Sequence, residues 1–371
     1  MRGTRFDFLL RGVAPILWML VAGSTAPPNA ALAQARSGRA AGPPQSAIAD
    51  PAHAPGSWTK FAVYRMKDDT VADAGFRAMS ATLQRIDAIF RHVPSLGPPP
   101  EGVLIGVHAT VGSYPTWTPA QFPYRRDVVP ARYSVGFLHP GLFCSQGNCR
   151  VDQGEASGGV GVYINTPHMA FERPLAERKP DAMYGAPRRI GTVAGFPLYD
   201  LDDGIVVLTK REQPLWIPVT QEEWVRSKLR EGQQNPPPSY ASAEIRERYR
   251  SNIAKLEQEL AVLPPRERTA PAYCCFTAAL GEKSPPSGRS NPTDLQARPV
   301  VRLNKDLFDP HLDPSAVQII IVSGWFKWTD AVNEQVKAYE HAHPGGPAAD
   351  LALFAAIRKE LDWKALSELL Q

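Results

Sequence analysis

The sequence lacks the short motifs that mark several large enzyme families. Its 371 residues contain no G-x-S-x-G, no H-E-x-x-H, no Walker phosphate loop and no complete G-x-G-x-x-G. Each motif sets side chains or backbone amides at the spacing that a nucleophile, a zinc ion or a phosphate group requires. The sequence therefore offers no support for a nucleophile-elbow hydrolase, a zinc peptidase, a P-loop nucleotidase or a dinucleotide-binding oxidoreductase.

Two further shortages narrow the class of protein. Beyond the first 35 residues, no stretch approaches the ~20 apolar residues that a helix needs to cross a bilayer. The net charge is +4, and the first 35 residues contribute +2 of it through three arginines and one aspartate. The rest of the chain is close to neutral and has no basic stripe, so a nucleic-acid partner is not expected.

The N-terminal segment, residues 1–35, has the features of a secretion signal. Three arginines lie before or at the start of an apolar run, Val13–Gly23, and small residues then offer cleavage sites after Ala33 or Ala35. The run is too short for a membrane span, although an uncleaved signal anchor is the alternative. We expect a periplasmic or secreted protein with no transmembrane span once the signal is removed.

Composition divides the remaining chain in two. Residues 36–57 are rich in Ala, Gly, Pro and Ser and have no apolar period, which predicts a flexible linker. Residues 58–371 carry periodic apolar patterns and predict a main α+β domain with a helical C-terminal tail. The chain contains 37 prolines, about twice the usual share, which predict many turns between its elements.

Apolar spacing predicts a fold of antiparallel strands packed with several amphipathic helices. Helices are expected over residues 72–93 and 241–263, where apolar residues recur every three or four positions. The alternation near His108 and Thr110 places both on the more polar face of a strand. Strands are predicted over Gly102–Val111, Gly158–Asn165, Phe196–Val219 (three short antiparallel strands) and Ala316–Val322.

The stretch P-V-T-Q-E-E-W predicts the start of a helix. Thr220 can accept a hydrogen bond from the amide of Glu223, and the side chain of Glu223 can reach back to form a capping box. Val219 and Trp224 flank this box at the positions of a hydrophobic staple. We therefore assign Trp224 a structural role in preference to a place in a ligand platform.

The sequence contains only four cysteines. In an oxidising compartment cysteines usually pair, and Cys144 and Cys149 flank a four-residue turn that can bring facing strand positions within bridging distance. Cys274 and Cys275 are adjacent, so an extended chain would point them to opposite faces. We expect a Cys144–Cys149 disulfide together with a strained Cys274–Cys275 bond or thiols; bonds between the two regions are the alternative.

No metal site or cofactor is expected. His139 lies near Cys144 and Cys149, but one histidine and two cysteines lack the fourth ligand of a structural zinc site. In the segment Y-E-H-A-H, His341 and His343 do not share a helix face. No residue can be assigned a catalytic role from the sequence.

Two long segments carry a resemblance to known proteins. The segments PLYDLDDGIVVLTKREQPLWIPVTQEEW and NKDLFDPHLDPSAVQIIIV resemble a set of exported bacterial proteins of unknown function. The likeness lies in Trp-x-Pro-Val-Thr before a helix and in Asp-Pro with a later Ser-Ala-Val-Gln before a strand. It covers roughly the second half of the chain, implies no activity and supports Pro214–Val322 as one folded unit.

These patterns favour an exported, non-catalytic protein of the periplasm that binds a small ligand or an envelope partner. The alternative is an envelope-directed hydrolase whose site is assembled from distant segments. An enzyme requires a His, carboxylate or Ser that meets a second polar group at hydrogen-bond distance, whereas a binding protein requires an aromatic and apolar cleft. The candidates for either site are His108, His139, His168, Trp58, Trp117, Trp325 and Trp328.

The disulfide prediction can be tested by mass mapping. Digestion of the exported protein under non-reducing conditions should release one peptide that contains both Cys144 and Cys149 and resists thiol alkylation, because a disulfide leaves no thiol to react. Reduction before alkylation is the control and should make both cysteines of this peptide reactive. Recovery of both cysteines as thiols from exported protein would contradict the prediction.

Overall fold

A large mixed β-sheet forms the centre of the structure. The computed structural model describes residues 54–66, 71–112, 128–139, 141–145, 148–152, 156–167, 183–201, 204–274, 285–293, 297–304, 306–324 and 348–371. The strands in these residues are β1 (Ser57–Trp58), β2 (Val63–Arg65), β3 (Leu104–Val111), β4 (Ala131–Leu138), β5 (Gly141–Ser145), β6 (Asn148–Asp152), β7 (Ala156–Ile164), β8 (Tyr184–Gly185), β9 (Arg188–Val193), β10 (Phe196–Asp200), β11 (Ile205–Thr209), β12 (Trp216–Pro218), β13 (Tyr273–Cys274), β14 (Arg298–Leu303) and β15 (Ile319–Ser323). The helices are α1 (Asp73–Arg91), α2 (Gln221–Gln234), α3 (Ala243–Val262), α4 (Pro265–Arg268), α5 (Ala348–Glu360) and α6 (Trp363–Ser367).

Nine of the described strands make the main sheet. Their order is β1-β3-β4-β7-β15-β11-β10-β9, and β2 also pairs with β3. The short strands β1 and β2 run parallel to β3, whereas the other neighbouring pairs are antiparallel. Together with the described helices, this sheet confirms the predicted α+β class. The described residues belong to one unit, Gln45–Gln371, and the boundaries drawn from composition stay predictions.

The strand β15 lies inside the sheet between β7 and β11. Its residues Ile319–Val322 are 0% exposed, because both faces of the strand are covered. Ile320 and Val322 belong to the larger apolar core, and Ile319 and Ile321 to a smaller core on the opposite face. The continuous apolar run thus correctly predicted a central strand.

Helix α1 covers the sheet on the side of the larger core. Its apolar stripe has the predicted spacing and is fully buried at Met79, Leu83, Ile86 and Phe90. Asp87 lies on the same side and is 7% exposed. Its carboxylate accepts hydrogen bonds from the Tyr133 hydroxyl at 3.0 Å and from Arg91 Nε at 2.7 Å. These two partners make the buried charge tolerable.

The C-terminal helices pack into the same core. Phe354 and Ile357 of α5, followed by Leu361, are buried at the helical spacing that the sequence predicted. Trp363 and Leu366 of α6 join them. Among the described helices, none combines the length and the apolar content that crossing a membrane requires.

A second described sheet has the order β12-β14-β13, with β8 paired to β14. This arrangement corrects the prediction of three neighbouring antiparallel strands within Phe196–Val219. Strands β10 and β11 do pair, but β12 pairs with β14. The physical reason is that β10 and β15 already occupy both edges of β11, while Asn304 binds the chain before β12 by donating to the carbonyl oxygens of Pro214 and Leu215.

Helix α2 begins with the predicted capping box. Thr220 Oγ1 accepts from the amide of Glu223 at 3.2 Å, and Glu223 Oε2 accepts from the amide of Thr220 at 2.9 Å. Val219 and Trp224 are buried in one apolar cluster. The Trp224 indole donates to the carbonyl oxygen of Ser287 at 3.1 Å, so this tryptophan has a structural role.

Asn165 joins three segments of the chain at the end of β7. The residue is 0% exposed and has a φ of 53°, a left-handed conformation that Asn tolerates better than most residues. Its Nδ2 donates to the carbonyl oxygens of Val129 and Ala316 at 3.2 and 2.8 Å. Its Oδ1 accepts from the amide of Gln318 at 3.0 Å. The side chain therefore satisfies backbone groups beside both β4 and β15.

We expect Asn165→Ala to lower the free energy of unfolding by about 3 kcal/mol, because several buried backbone groups lose their hydrogen-bond partners. Asn165→Gly should be less damaging by about 1 kcal/mol, because glycine adopts a positive φ without strain. Urea unfolding monitored by circular dichroism measures both values.

The matched control is Asn235→Ala, since the Asn235 side chain makes one exposed hydrogen bond to the carbonyl oxygen of Glu231. Its effect should stay within about 0.5 kcal/mol. Equal unfolding free energies for wild type and Asn165→Ala would contradict the role given to Asn165.

Candidate functional site

The side of β3, β4 and β7 that faces away from α1 carries polar side chains in register. Thr110 pairs with Arg132, and Arg132 pairs with Tyr163. In the next row, His108 pairs with Ser134. We call this surface the Arg132 face and define it by the residues His108, Thr110, Arg132, Ser134 and Tyr163.

Alternation along β4 explains why these residues share a face. Tyr133 and Val135 point into the core and are 0% exposed, whereas Arg132 and Ser134, which alternate with them, are half-buried on the other side. Successive side chains of a strand point to opposite faces, so one buried face requires the polar residues to project from the other. The same rule places His108 of β3 and Tyr163 of β7 beside them.

Arg132 is the positive charge of this face. Its guanidinium carbon lies 5.4 Å from the centre of the Tyr163 ring, which is cation–π geometry. Its Nε is buried and has no hydrogen-bond partner among the described residues. Directly opposite on β3, Thr110 is 2% exposed, and its Oγ1 likewise has no partner there. Arg132 Nε and Thr110 Oγ1 thus belong to directly opposed residues, and both are buried without a partner among the described residues.

His108 and Tyr64 form the aromatic edge of the face. Their ring centres are 6.0 Å apart and the planes differ by 18°, so the rings stack. Partial burial lowers the pKa of His108 below its ordinary value of 6.5, and the nearby charge of Arg132 lowers it further. The imidazole is therefore mainly neutral at pH 7.

Three glycines form one row across the Arg132 face. Gly106, Gly136 and Gly159 lie opposite one another across β3, β4 and β7, in the row next to His108 and Ser134. At Gly159 a β-carbon would come within 2.5 Å of the Val135 carbonyl oxygen, so only glycine fits this close approach. At Gly106 a β-carbon would come within 3.0 Å of Leu138 Cδ1, so the Leu138 side chain covers this part of the row.

The structure places the predicted cysteines in two different settings. In the hairpin of β5 and β6, Cys144 lies directly opposite Cys149, and facing antiparallel positions have the Cα separation that a disulfide requires. The bond itself stays a prediction. Cys274 is buried at the end of β13, and the expectation for its sulfur stays a prediction. Cys275 lies outside the described residues.

Apart from His108, the histidines and tryptophans proposed from the sequence as site residues are not seen on the Arg132 face in the described part of the chain. Trp58 is half-buried elsewhere: its indole donates to the carbonyl oxygen of Leu96 at 3.0 Å, and the Arg91 guanidinium lies 4.6 Å from its ring centre. The proposed use of Trp58 in a groove is therefore replaced by a packing role. His139 is half-buried at the end of β4. The candidates outside the described residues are His168, Trp117, Trp325, Trp328, His341 and His343.

Part of the Arg132 face was predicted from the sequence, and the rest was not. His108 and Thr110 were predicted on the polar side of a strand, and they do face away from the larger core. No strand was predicted at Ala131–Leu138, although its alternating apolar and polar letters were an available signal. Arg132 was missed for this reason, and its pairing with Thr110 depends on a register that one strand alone does not reveal.

A separate cleft of about 520 Å³ lies between the end of α1 and the turn from α5 to α6. His92 Nδ1 is 2.6 Å from the carbonyl oxygen of Ala88, so this nitrogen carries the proton. Glu360 accepts from the amide of Ser95 at 2.8 Å, and Asp362 accepts from the amide of Ala365 at 2.8 Å. The cleft is lined by Ala88, Ile89, His92, Pro94, Glu360 and Asp362.

Comparison with known proteins assigns no family. No protein-family model, no curated protein and no solved structure matches this chain. Among the described residues, no group of three or more His, Cys, Asp or Glu side chains is arranged to hold a metal ion. The chemistry of the Arg132 face therefore has to be argued from its own geometry.

The charge of Arg132 should be visible in the titration of His108. Replacing Arg132 by Gln removes a positive charge that disfavours the imidazolium, so the pKa of His108 should rise in Arg132→Gln while staying below its ordinary value because the burial remains. NMR titration of the imidazole signals, assigned with His108→Gln, measures this shift. Arg188→Gln is the control, since Arg188 pairs with Asp200 at the other end of the sheet.

The direction of the His108 pKa shift also determines how the stability of the fold depends on pH. A depressed folded pKa means that the unfolded chain binds more protons, so the contribution of neutral His108 is complete above its ordinary pKa and is lost as the pH falls below it. An unchanged His108 pKa in Arg132→Gln would contradict the proximity that we describe.

Proposed function

We propose that this protein is an exported, non-catalytic protein that binds a small ligand on the Arg132 face. The observation that carries the proposal is the pair of buried donors, Arg132 Nε and Thr110 Oγ1, which have no acceptor among the described residues. A buried polar group without a partner costs about 1–3 kcal/mol. A ligand that supplies the missing acceptor recovers this free energy, and such sites commonly add a few polar groups to an aromatic surround.

The aromatic surround supports the same proposal. Tyr163 lies beneath the guanidinium, and the stacked rings of Tyr64 and His108 form one side of the face. A face of this composition offers contact area to a flat group, and the Ser134 hydroxyl within it donates to the backbone carbonyl oxygen of His108.

Export is part of the proposal and depends on residues 1–35. Their basic start, apolar run and small-residue cleavage sites support delivery to the periplasm or beyond. The register of Cys144 opposite Cys149 supports a disulfide, which forms readily in an oxidising compartment. A small ligand of the envelope is the proposed partner, and no resident cofactor or metal is proposed.

A hydrolase is the second candidate, and the cleft at His92 is the observation that favours it. Nδ1 of His92 is engaged with the Ala88 carbonyl oxygen, which leaves Nε2 as the ring nitrogen to act as a base, and the carboxylates of Glu360 and Asp362 line the same cavity. Both carboxylates, however, already accept hydrogen bonds from backbone amides. Their placement is thus explained by the packing of the chain, and we rank this candidate below ligand binding.

Occupation of the Arg132 face can be tested by obstructing it. Ser134→Phe places a large ring at the centre of the face and leaves the donors of Arg132 and Thr110 in place. Native mass spectrometry of the protein purified from its source should show a retained small molecule in the wild type, and Ser134→Phe should lower its occupancy about tenfold.

The control is Gln84→Phe, which adds the same ring at an exposed position of α1 and should retain the molecule. The proposal fails if the wild type retains nothing, or if the two variants retain the molecule equally. Turnover of the retained molecule, abolished by His92→Gln, would instead support the hydrolase.

A further inference from the structure

We infer that the group recognised on the Arg132 face is an oxyanion, a carboxylate or a phosphate, which accepts from Arg132 and Thr110 together. This inference deepens the proposed function and rests on it. It names the chemistry of the ligand, which the proposal of a binding site leaves open.

The first argument is that Arg132 carries a charge that no described carboxylate balances. Three other half-buried arginines of the described chain do pair with a carboxylate: Arg211 with Asp309, Arg289 with Glu259 and Arg302 with Glu223, at 2.8, 2.9 and 2.8 Å. Arg132 has no such acid within ion-pair distance among the described residues, and its contact is the face of Tyr163. A ring face attracts the cation but accepts none of its five N–H donors in the plane of the guanidinium.

The second argument is geometry. Thr110 and Arg132 are directly opposed on neighbouring antiparallel strands, where the β-carbons are about 5 Å apart. One ligand atom group can therefore reach both side chains. A guanidinium that is stacked on a ring presents its N–H edge sideways, and this edge matches the two oxygens of a carboxylate or a phosphate. The threonine hydroxyl adds a third donor.

The third argument concerns access. Arg132 Nε and Thr110 Oγ1 are both shielded from solvent, so an oxyanion that binds them must sit against the sheet beneath the edge of the guanidinium. No ion pair with a described residue restrains the Arg132 side chain, and stacking on Tyr163 is weak enough to be exchanged for a charge-assisted hydrogen bond. The guanidinium can therefore swing to admit the ligand and close over it.

The groups around Arg132 suit a ligand with one negative group better than a ligand with several. His108 lies in the adjacent row and is uncharged at neutral pH, because burial and Arg132 lower its pKa. The stacked rings of Tyr64 and His108, together with the glycine row, provide an apolar floor beside the charge. A small molecule with one oxyanion and a flat body matches this arrangement.

The test uses inorganic phosphate and sodium acetate as probes with the purified protein. Each probe is titrated at constant ionic strength while the imidazole NMR signals of His108 are followed. Saturable shifts are expected with at least one probe, and the stronger of the two identifies phosphate or carboxylate recognition. Arg132→Gln should raise the apparent Kd by about tenfold or more, and Thr110→Val should raise it by about threefold to tenfold.

Arg132→Lys keeps the charge without the planar fork, so it should bind more weakly than the wild type and more tightly than Arg132→Gln. Arg188→Gln is the charge control and should match the wild type, because Arg188 lies at the far edge of the sheet. Circular dichroism and thermal unfolding establish that each variant is folded before titration.

The outcomes separate this inference from the proposal beneath it. If neither probe binds the wild type, or if Arg132→Gln binds as tightly as the wild type, recognition of an oxyanion is overturned. If Ser134→Phe still displaces the retained molecule, and that molecule is uncharged, the binding site stands and only its ligand class is wrong. If the wild type retains no molecule and binds neither probe, both statements fail.

Discussion

The buried amide of Asn165 is the constraint on which the arrangement of the sheet depends. It follows directly after β7, binds the chain before β4 through Val129, and binds the chain before β15 through Gln318. These bonds hold the end of β7 level with the beginning of β4. The register that follows puts Arg132 opposite Tyr163. A single polar side chain inside the core thus determines which residues meet on the surface of the sheet.

The two sides of the main sheet are packed differently because their side chains differ in size and polarity. On one side, large apolar residues of β3, β4 and β7 are covered by α1, α5 and α6. On the other side, β15 and β11 contribute to a smaller core, while β3 and β4 present Arg132, Ser134 and glycines. Half of this side is therefore buried by apolar packing, and the other half keeps polar groups that packing does not satisfy.

Local patterns in the sequence predicted the helices and strands, whereas the pairing between distant strands was not predicted. The capping box at Thr220 and Glu223 and the central strand at Ile319 were predicted correctly, because each follows from the chemistry of a few adjacent residues. The displacement of β12 to a second sheet was missed, because the edge of β11 opposite β10 is taken by β15, which comes from more than a hundred residues further along the chain. Arg132 and Thr110 were not linked for the same reason: their meeting depends on the alignment of two strands.

The contacts made by Asn165 have a consequence for how fast the native state is reached. Its bonds to Ala316 and Gln318 close separations of 151 and 153 residues along the chain, and a topology dominated by such distant pairings folds slowly. A polypeptide that is threaded through a translocation channel must arrive there before it has collapsed into its final form. For the export that we propose, slow closure of these loops would extend the interval in which the newly made chain is still unfolded and can be passed across a membrane.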